Sequence, residues 1–522
     1  MLSSFGVQHI DTASTPEEAM EKCRFNFYDI ILCDFNLGLG KNGQQILEAL
    51  KISKRVKQAQ LFIMITAETA KDVVLGAREY QPDAYIAKPI TRQVLEKRLS
   101  HLIKQQQHLK PINREIDLEN YAKAISLCHQ QIELKNKYQS WCYQTLGSLY
   151  LKLGDAVNAK KTYETILNNR ELPWALLGLG QSLLLNQEYS NAARVFENSL
   201  KLNSNLLEAY DGLAECYLKL NQPKRAQDIL QQAVSISPRL IPRQEKLGTI
   251  SQKNQDIETA VQAFREVIRY GEHSIHEKPA NYLNLGRCLA EWSEDDLSPE
   301  GKSRAEEAIN VLETSIQKFP LNEDACLSAT LIEARVFNGQ RMLPEADKKL
   351  HFAESTIEED ELSAEVGLEF ARTLFALKQP ERAEKLLINL AGKYANDALV
   401  ISRIESLLDE PESLTARKQA KELNKQGIKL FEQNQLDAAI ESIESALTFT
   451  PKHAALNLNL IQVLLKHYEA SPNKATLIKA QLCLKKIEHI PQQHHQYKRM
   501  KFLAKTIQKL LNPSTAKAGI RP

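Results

Sequence analysis

The stretch YDIILCD, residues 28–34, is a short apolar segment that ends in a carboxylate. Two similar segments follow it: LFIMIT, residues 61–66, ends in a hydroxyl, and AYIAKP, residues 84–89, ends in an ammonium and a proline. None of the three alternates apolar with polar residues, which is typical of parallel strands buried on both faces. We therefore predict strands at residues 28–33, 61–65 and 84–87.

Helical patterns flank these strands. The sequence TPEE at residues 15–18 is a capping box with proline at the first helical position, and a second helix is predicted to begin at Thr91. Strands that alternate with helices form a parallel sheet, and ligands bind beyond the carboxyl ends of its strands. Asp34, Thr66 and Lys88 all fall at those ends.

An acid, a hydroxyl and a Lys-Pro pair in this order resemble the phosphoacceptor site of bacterial response-regulator receiver domains. The resemblance implies a flavodoxin-like fold in which Asp34 accepts a phosphoryl group from a histidine kinase or phosphotransfer protein. Lys88 would offset the added charge and Thr66 would donate a hydrogen bond to a phosphoryl oxygen. Each residue alone is more often a cap, loop or core residue, so the prediction rests on their joint order.

The same resemblance implies two further roles. Asn36 would offer its backbone carbonyl to Mg²⁺ beside the Asp34 carboxylate. Tyr85 would move inward with Thr66 when the domain is activated.

The start of the chain departs from the family pattern, which opens with a strand ending in two adjacent acidic residues that hold Mg²⁺. Residues 1–7 instead read as the tail of a first helix, and a strand is predicted at residues 9–13. Either the start site is misplaced and roughly 25 residues are missing, or the domain is a degenerate pseudo-receiver that serves as a docking scaffold. The first is favoured, and Mg²⁺ is expected only with the acidic pair.

The bulk composition narrows the functional class. The chain has 522 residues, 43% hydrophobic and 25% charged, with no apolar run long enough to span a bilayer and no leader pattern. Its eight cysteines are dispersed, as expected for buried thiols in a reducing compartment. The sequence contains no P-loop, dinucleotide, GxSxG or HExxH motif. We expect a cytoplasmic bacterial protein without enzymatic activity beyond the receiver's phosphoryl chemistry.

The rest of the chain repeats every 34 residues: Gly180, Ala214 and Gly248 keep this spacing, as do Ala192, Ala226 and Ala260. The period and the large-small pairs resemble tetratricopeptide (TPR) repeats. The expected organisation is a receiver at residues 1–106, an all-α TPR array at 107–404, further repeats with a basic capping helix at 416–511, and a disordered tail at 512–522. An insertion is predicted at residues 291–302 and a break at 405–415.

Repeats of this family bind proteins or peptides in a concave groove lined by their first helices. By repeat position, the groove would include Gln144, Ser148, Lys152, Asp211, Glu215, Lys219, Glu245, Thr249 and Lys253. Its three lysines recur at one repeat position, where a basic binding row and an ordinary solvated helix face are equally reasonable.

Charge is unevenly distributed along the chain. Residues 452–522 hold thirteen Lys and Arg against two Glu, although the whole chain carries a net charge of only +2. Such asymmetry can mark a nucleic-acid contact, but an amphipathic capping helix with a basic outer face is the better interpretation. The sequence therefore predicts a two-component response regulator with a protein-binding TPR output, with the docking scaffold and a nucleic-acid-associated regulator as alternatives.

Overall fold

The computed structural model of the chain describes residues 2–38, 40–67, 82–357, 362–407, 414–449, 453–487 and 496–511. The chain forms two compact units, one of residues 1–329 with 339–342 and the other of residues 330–338 with 343–522. Within the described ranges, no helix is both long and apolar enough to cross a membrane.

The first unit begins with a three-stranded parallel sheet of order β1-β2-β3. Its strands are β1 (Ile30–Asp34), β2 (Leu61–Thr66) and β3 (Ala84–Ala87). The predicted parallel sheet is thus confirmed, although β1 begins two residues later than predicted and both β1 and β2 end one residue later.

Helices cover both faces of this sheet: α1 (Pro16–Phe25), α2 (Gly43–Ile52) and α3 (Arg92–Asp117). On one face, Phe62 and Met64 form a core with Ile46, Leu47 and Leu50 of α2. On the other face, the core consists of Ile63, Ala84, Ile86, Leu95 and Leu99, the last two from α3. The alternation along β2 sends successive side chains to opposite faces, which explains why the strand is apolar throughout.

The strand predicted at residues 9–13 is wrong. After a 3₁₀ turn at Leu2–Phe5, residues 7–13 are exposed and have no regular secondary structure. A strand needs a neighbour that completes its hydrogen bonds, and no strand of the described chain pairs with β1 on the side away from β2.

Helix α3 is shared between two cores. Leu95 and Leu99 in its first half pack on the sheet, whereas Leu109 and Ile112 in its second half pack on the next two helices, α4 (Tyr121–Glu133) and α5 (Gln139–Lys152). The helix runs through the predicted domain boundary at residues 106/107 and contains Pro111.

The helical array continues in the first unit with consecutive packed helices. They are α6 (Ala156–Leu167), α7 (Pro173–Leu185), α8 (Tyr189–Leu202), α9 (Leu207–Lys219), α10 (Pro223–Ile236), α11 (Ile241–Lys253), α12 (Ile257–Gly271), α13 (Pro279–Ser293) and α14 (Pro299–Lys318). The next helix, α15 (Glu323–Gly339), has residues 323–329 and 339 in the first unit and residues 330–338 in the second. In the predicted insertion, α13 ends and the 20-residue α14 begins.

Glycines make room for a buried aromatic ring between neighbouring hairpins. Tyr163 of α6 is 3% exposed, and a Cβ placed on Gly147 or Gly178 would lie 2.4 or 2.1 Å from its ring. The next repeat shows the same arrangement, since a Cβ on Gly180 or Gly212 would lie 2.5 Å from the Phe196 ring. In both repeats, the aromatic ring on the second helix of the hairpin thus requires a small residue on the first helix of its own hairpin and another on the following hairpin.

The second unit contains the helices that follow, and the last five of them share one core of buried residues. The helices are α16 (Leu343–Thr356), α17 (Ala364–Ala376), α18 (Pro380–Lys393), α19 (Ala398–Leu407), α20 (Leu414–Glu432), α21 (Leu436–Phe449), α22 (Ala454–Ala470), α23 (Lys474–Lys486) and α24 (Tyr497–Leu511). Within the predicted break, residues 408–413 lie outside the described residues, and so does the tail predicted to be disordered at 512–522.

Two glycine-to-alanine substitutions should have opposite effects on stability. We expect Gly178→Ala to lower the free energy of unfolding by about 1–3 kcal/mol, because its methyl would overlap the Tyr163 ring. Gly392→Ala, in the exposed α18 position where a Cβ meets nothing within 4 Å, should raise it by about 0.5–1 kcal/mol through helix propensity. Denaturant melts of both variants check this, and equal effects would contradict the packing described.

Candidate functional site

The three predicted site residues meet at one edge of the sheet. Asp34 ends β1, Thr66 ends β2, and Lys88 directly follows β3. The register pairs Asp34 with Ile65 and Thr66 with Ala87, so that all three strands end at the same level. The carboxyl ends of parallel strands therefore present the acid, the hydroxyl and the ammonium together.

Asp34 and Lys88 form a direct ion pair. The Lys88 ammonium donates to Asp34 Oδ2, and the two side chains remain 43% and 31% exposed for Lys88 and Asp34 respectively. The backbone also ties the strand ends together, since Lys88 N donates to Thr66 O at 2.8 Å. The carboxylate is thus oriented by a cation and still open to solvent.

The loop after β1 holds the other oxygen of this carboxylate. Asn36 N donates to Asp34 Oδ1 at 3.2 Å, and Gly38 N donates to Asn36 Oδ1 at 3.1 Å. Phe35 N bonds to Ile65 O at 2.7 Å, and Gly43 N bonds to Phe35 O at 2.9 Å, which joins the strand end to the start of α2. Both carboxylate oxygens therefore have fixed partners on this side of the sheet.

Thr66 and Tyr85 lie on the sheet face that α2 covers. Thr66 is two residues after Met64 and so shares its face, and Tyr85 is the register partner of Met64. Thr66 is 6% exposed, and the half-buried Tyr85 packs against the core that contains Phe62 and Met64. The residues predicted to move together are thus placed on one face. Residues 68–81, which connect β2 to β3, lie outside the described residues.

Cys33 adjoins Asp34 but is not a competing nucleophile. Burial, together with the neighbouring Asp34 charge, raises the pKa of the Cys33 thiol to about 12. The thiolate is the reactive form of cysteine and is scarce at neutral pH with such a pKa. The carboxylate is therefore the nucleophile that this strand end offers.

A magnesium ion needs more oxygen ligands than these residues supply. Asp34 and the Asn36 carbonyl would provide two, and the described residues contain no group of three or more His, Cys, Asp or Glu side chains that could hold a metal. Mg²⁺ requires near-octahedral oxygen coordination, and Lys88 already occupies one carboxylate oxygen. The described residues therefore do not fit a magnesium site by themselves.

Several residues of the predicted groove are engaged within the array. Asp211 accepts two hydrogen bonds from Arg243, at 2.9 and 2.7 Å, and Glu245 pairs with Lys278 at 2.8 Å. Lys152 Nζ lies 4.6 Å from the centre of the Tyr121 ring. These side chains therefore make contacts between different elements of the array.

The other predicted groove residues are more open. Glu215 is half-buried, and exposed positions are held by Gln144, Ser148, Lys219, Thr249 and Lys253. All three repeating lysines are thus exposed, and one of them, Lys152, also contacts an aromatic ring.

A contact that the sequence gave no reason to expect joins α2 to the helical array. Gln45 Nε2 donates to Glu272 O at 3.1 Å, and Glu48 Oε1 lies 2.5 Å from His276 Nε2. No motif marks these polar residues, and 227 positions separate Gln45 from Glu272. Only the folded chain reveals them.

Comparison with protein families agrees with both parts of the structure. Residues 1–100 match the response regulator receiver domain, and residues 142–170 and 183–245 match tetratricopeptide repeats. The chain is a receiver domain followed by TPR repeats. Both family assignments made from the sequence are thereby confirmed.

Individual relatives cover the two parts separately. The chemotaxis protein CheY of Pseudomonas aeruginosa is 26% identical over 102 residues, which are 20% of this chain and 81% of CheY. The BBSome complex member BBS4 homolog of Drosophila melanogaster is 28% identical over 225 residues, 41% of this chain, and the match spans less than half of that protein, 43%. A TPR protein structure from Parabacteroides merdae is 13% identical with a TM-score of 0.33, covering 51% of this chain and 97% of that one.

The Asp34–Lys88 pair should contribute little to stability. We expect Lys88→Ala to change the free energy of unfolding by less than about 1 kcal/mol, because the pair is partly exposed to water. Leu47→Ala in the adjacent helix, whose side chain is fully buried, should cost about 2–5 kcal/mol. Denaturant melts that monitor unfolding of the receiver measure both changes. A loss of unfolding free energy in Lys88→Ala as large as that in Leu47→Ala would assign the pair a structural role.

Proposed function

We propose that this chain is a response-regulator-like signalling protein that is phosphorylated on Asp34 and binds a partner protein through its TPR array. The observation that carries the proposal is the meeting of the Asp34 carboxylate, the Lys88 ammonium and the Thr66 strand end at one solvent-open edge of the sheet. A histidine kinase or a phosphotransfer protein is the proposed donor.

The chemistry is a phosphoryl transfer to a carboxylate. An Asp34 oxygen attacks the phosphorus of a phosphohistidine, a P–O bond forms as the P–N bond breaks, and the imidazole leaves with the electron pair. The new group carries about −1.5 to −2 charges, which the Lys88 ammonium beside it would partly offset. The Thr66 hydroxyl would donate a hydrogen bond to a phosphoryl oxygen.

The proposed output is protein binding. Exposed groove residues such as Gln144, Lys219 and Lys253 would contact a peptide or protein segment, while Asp211 and Arg243 hold neighbouring helices in place. Binding of the partner protein to the array would change with the phosphorylation state of the receiver.

The basic carboxyl end supports a capping role better than nucleic-acid binding. In α24, Leu503 and Ile507 are 3% and 2% exposed and belong to the core of the last helices. The lysines of this helix then form the solvated outer face that a terminal repeat requires.

Phosphorylation can be tested by intact mass after incubation with acetyl phosphate and Mg²⁺. We expect weak labelling of the chain itself, because the described residues offer Mg²⁺ too few ligands. A version extended at its N-terminus by a strand ending in two aspartates should take one phosphoryl group. Asp34→Asn should abolish this labelling, whereas Asp29→Asn, at the exposed approach to β1, should leave it intact.

The alternative is a docking scaffold that takes no phosphate. An extended chain that folds, as judged by circular dichroism, but acquires no label from acetyl phosphate or a competent kinase would establish that alternative. Label that persists in Asp34→Asn would place the acceptor elsewhere and contradict the proposed site.

A further inference from the structure

Helix α2, which begins directly after the phosphoacceptor loop, lies against the segment 270–278 that connects α12 to α13. Gln45 Nε2 donates to Glu272 O at 3.1 Å and lies 3.5 Å from Tyr270 O. One turn further along the helix, Glu48 Oε1 pairs with His276 Nε2 at 2.5 Å. Two successive turns of the receiver helix are thus bonded to one connection of the TPR array.

The contact involves a buried polar side chain of α2. Glu48 is only 8% exposed, although polar helix positions normally face solvent. A covered carboxylate is stable only where it has a partner, and His276, whose side chain is 19% exposed, supplies one. The polar residues of α2 and the 270–278 segment are therefore matched to each other.

The segment has an ordered structure of its own. Ser274 N donates to Gly271 O at 2.9 Å, His276 N to Ser274 Oγ at 3.0 Å and His273 N to Glu277 Oε2 at 2.7 Å. Its carbonyl and imidazole groups are therefore held in position to receive α2.

Gln45 also belongs to the cap at the start of α2. Asn42 N donates to Gln45 Oε1, and Gln45 N donates to Asn42 Oδ1, both at 2.9 Å. The oxygen of the Gln45 amide thus closes the cap while its nitrogen reaches the array. One planar side chain spans both contacts.

The cap is in turn packed on the phosphoacceptor. A Cβ placed on Gly43 would lie 2.2 Å from Asp34 O and 3.0 Å from Asp34 C, so this helix start has no free space towards the strand end. Any displacement of the Asp34 backbone therefore acts on Gly43, and through the cap on Gln45.

We propose that the 270–278 segment is a docking surface for the receiver helix α2, and that Gln45 couples this docking to the Asp34 loop. Phosphorylation of Asp34 would be the natural trigger that releases α2 from this segment, and this step rests on the function proposed above. The docking and its coupling to the loop follow from the contacts alone and can be tested without phosphate.

The docking is tested by hydrogen exchange of the full chain with Gln45→Glu. The glutamate still accepts from Asn42 N, as in a usual capping box, but it cannot donate to Glu272 O and sets a negative charge against that carbonyl. We expect amides 273–277 to exchange roughly threefold to tenfold faster, the effect of losing one hydrogen bond, with the β2 amides unchanged. His276→Ala should do the same.

The coupling is tested with changes at the start of α2 that do not touch the segment. Gly43→Ala forces the helix away from Asp34 and should also accelerate exchange at 273–277. Gly392→Ala, the same change in open space, should not. If Gly43→Ala also exposes the β2 amides, Asn42→Ala, which removes the side-chain acceptor of Gln45 N and keeps Gly43, decides instead.

The possible results separate the two parts of the proposal. Unchanged exchange at 273–277 in both Gln45→Glu and His276→Ala would overturn the docking. Acceleration in Gln45→Glu without acceleration in the deciding variant at Gly43 or Asn42 would overturn the coupling. A failure of Asp34 to accept phosphate would contradict the proposed function and leave these exchange results unaffected.

Discussion

The receiver and the TPR array depend on one helix that each of them needs for its core. Helix α3 spans 26 residues, and it buries Leu95 and Leu99 against the sheet but Leu109 and Ile112 against the first helices of the array. Its end is fixed to the receiver as well, because Asp117 accepts from Gln58 N at 2.8 Å and Ala59 N at 3.2 Å. An α-helix is stiff over this length, so the receiver is attached to the array without a flexible linker.

The candidate site and the array differ in what holds them together. Asp34 and Lys88 remain partly exposed, and their ion pair is of the kind that adds little to stability. The array is instead determined by close packing, where Tyr163 and Phe196 fill spaces that only glycine leaves open. A change of charge at Asp34 would therefore leave the packing of the repeats undisturbed.

The strand ends and the repeats could be predicted from the sequence because their signals are local or periodic. Asp34, Thr66 and Lys88 each follow a short apolar run, and the repeats return every 34 residues. The strand at 9–13 was predicted from the place of this segment in the receiver pattern, whereas a strand forms only beside a partner. The continuation of α3 across residue 106 was not predicted, and the helix contains Pro111 in its interior, where proline usually ends or kinks a helix. The contact of Gln45 with Glu272 joins residues far apart in the sequence, and no spacing rule reveals it.

The sharing of α3 is most directly tested by native-state hydrogen exchange on the variant Leu109→Ala. Leu109 is 1% exposed and contacts the array core, so its truncation must destabilise α4 and α5. If α3 is a single structural element of both parts, protection should also fall in β2, residues 61–66, at the far end of the helix. Loss of protection confined to residues 121–152, with β2 as protected as before, would show that the receiver and the array are independent and contradict the account.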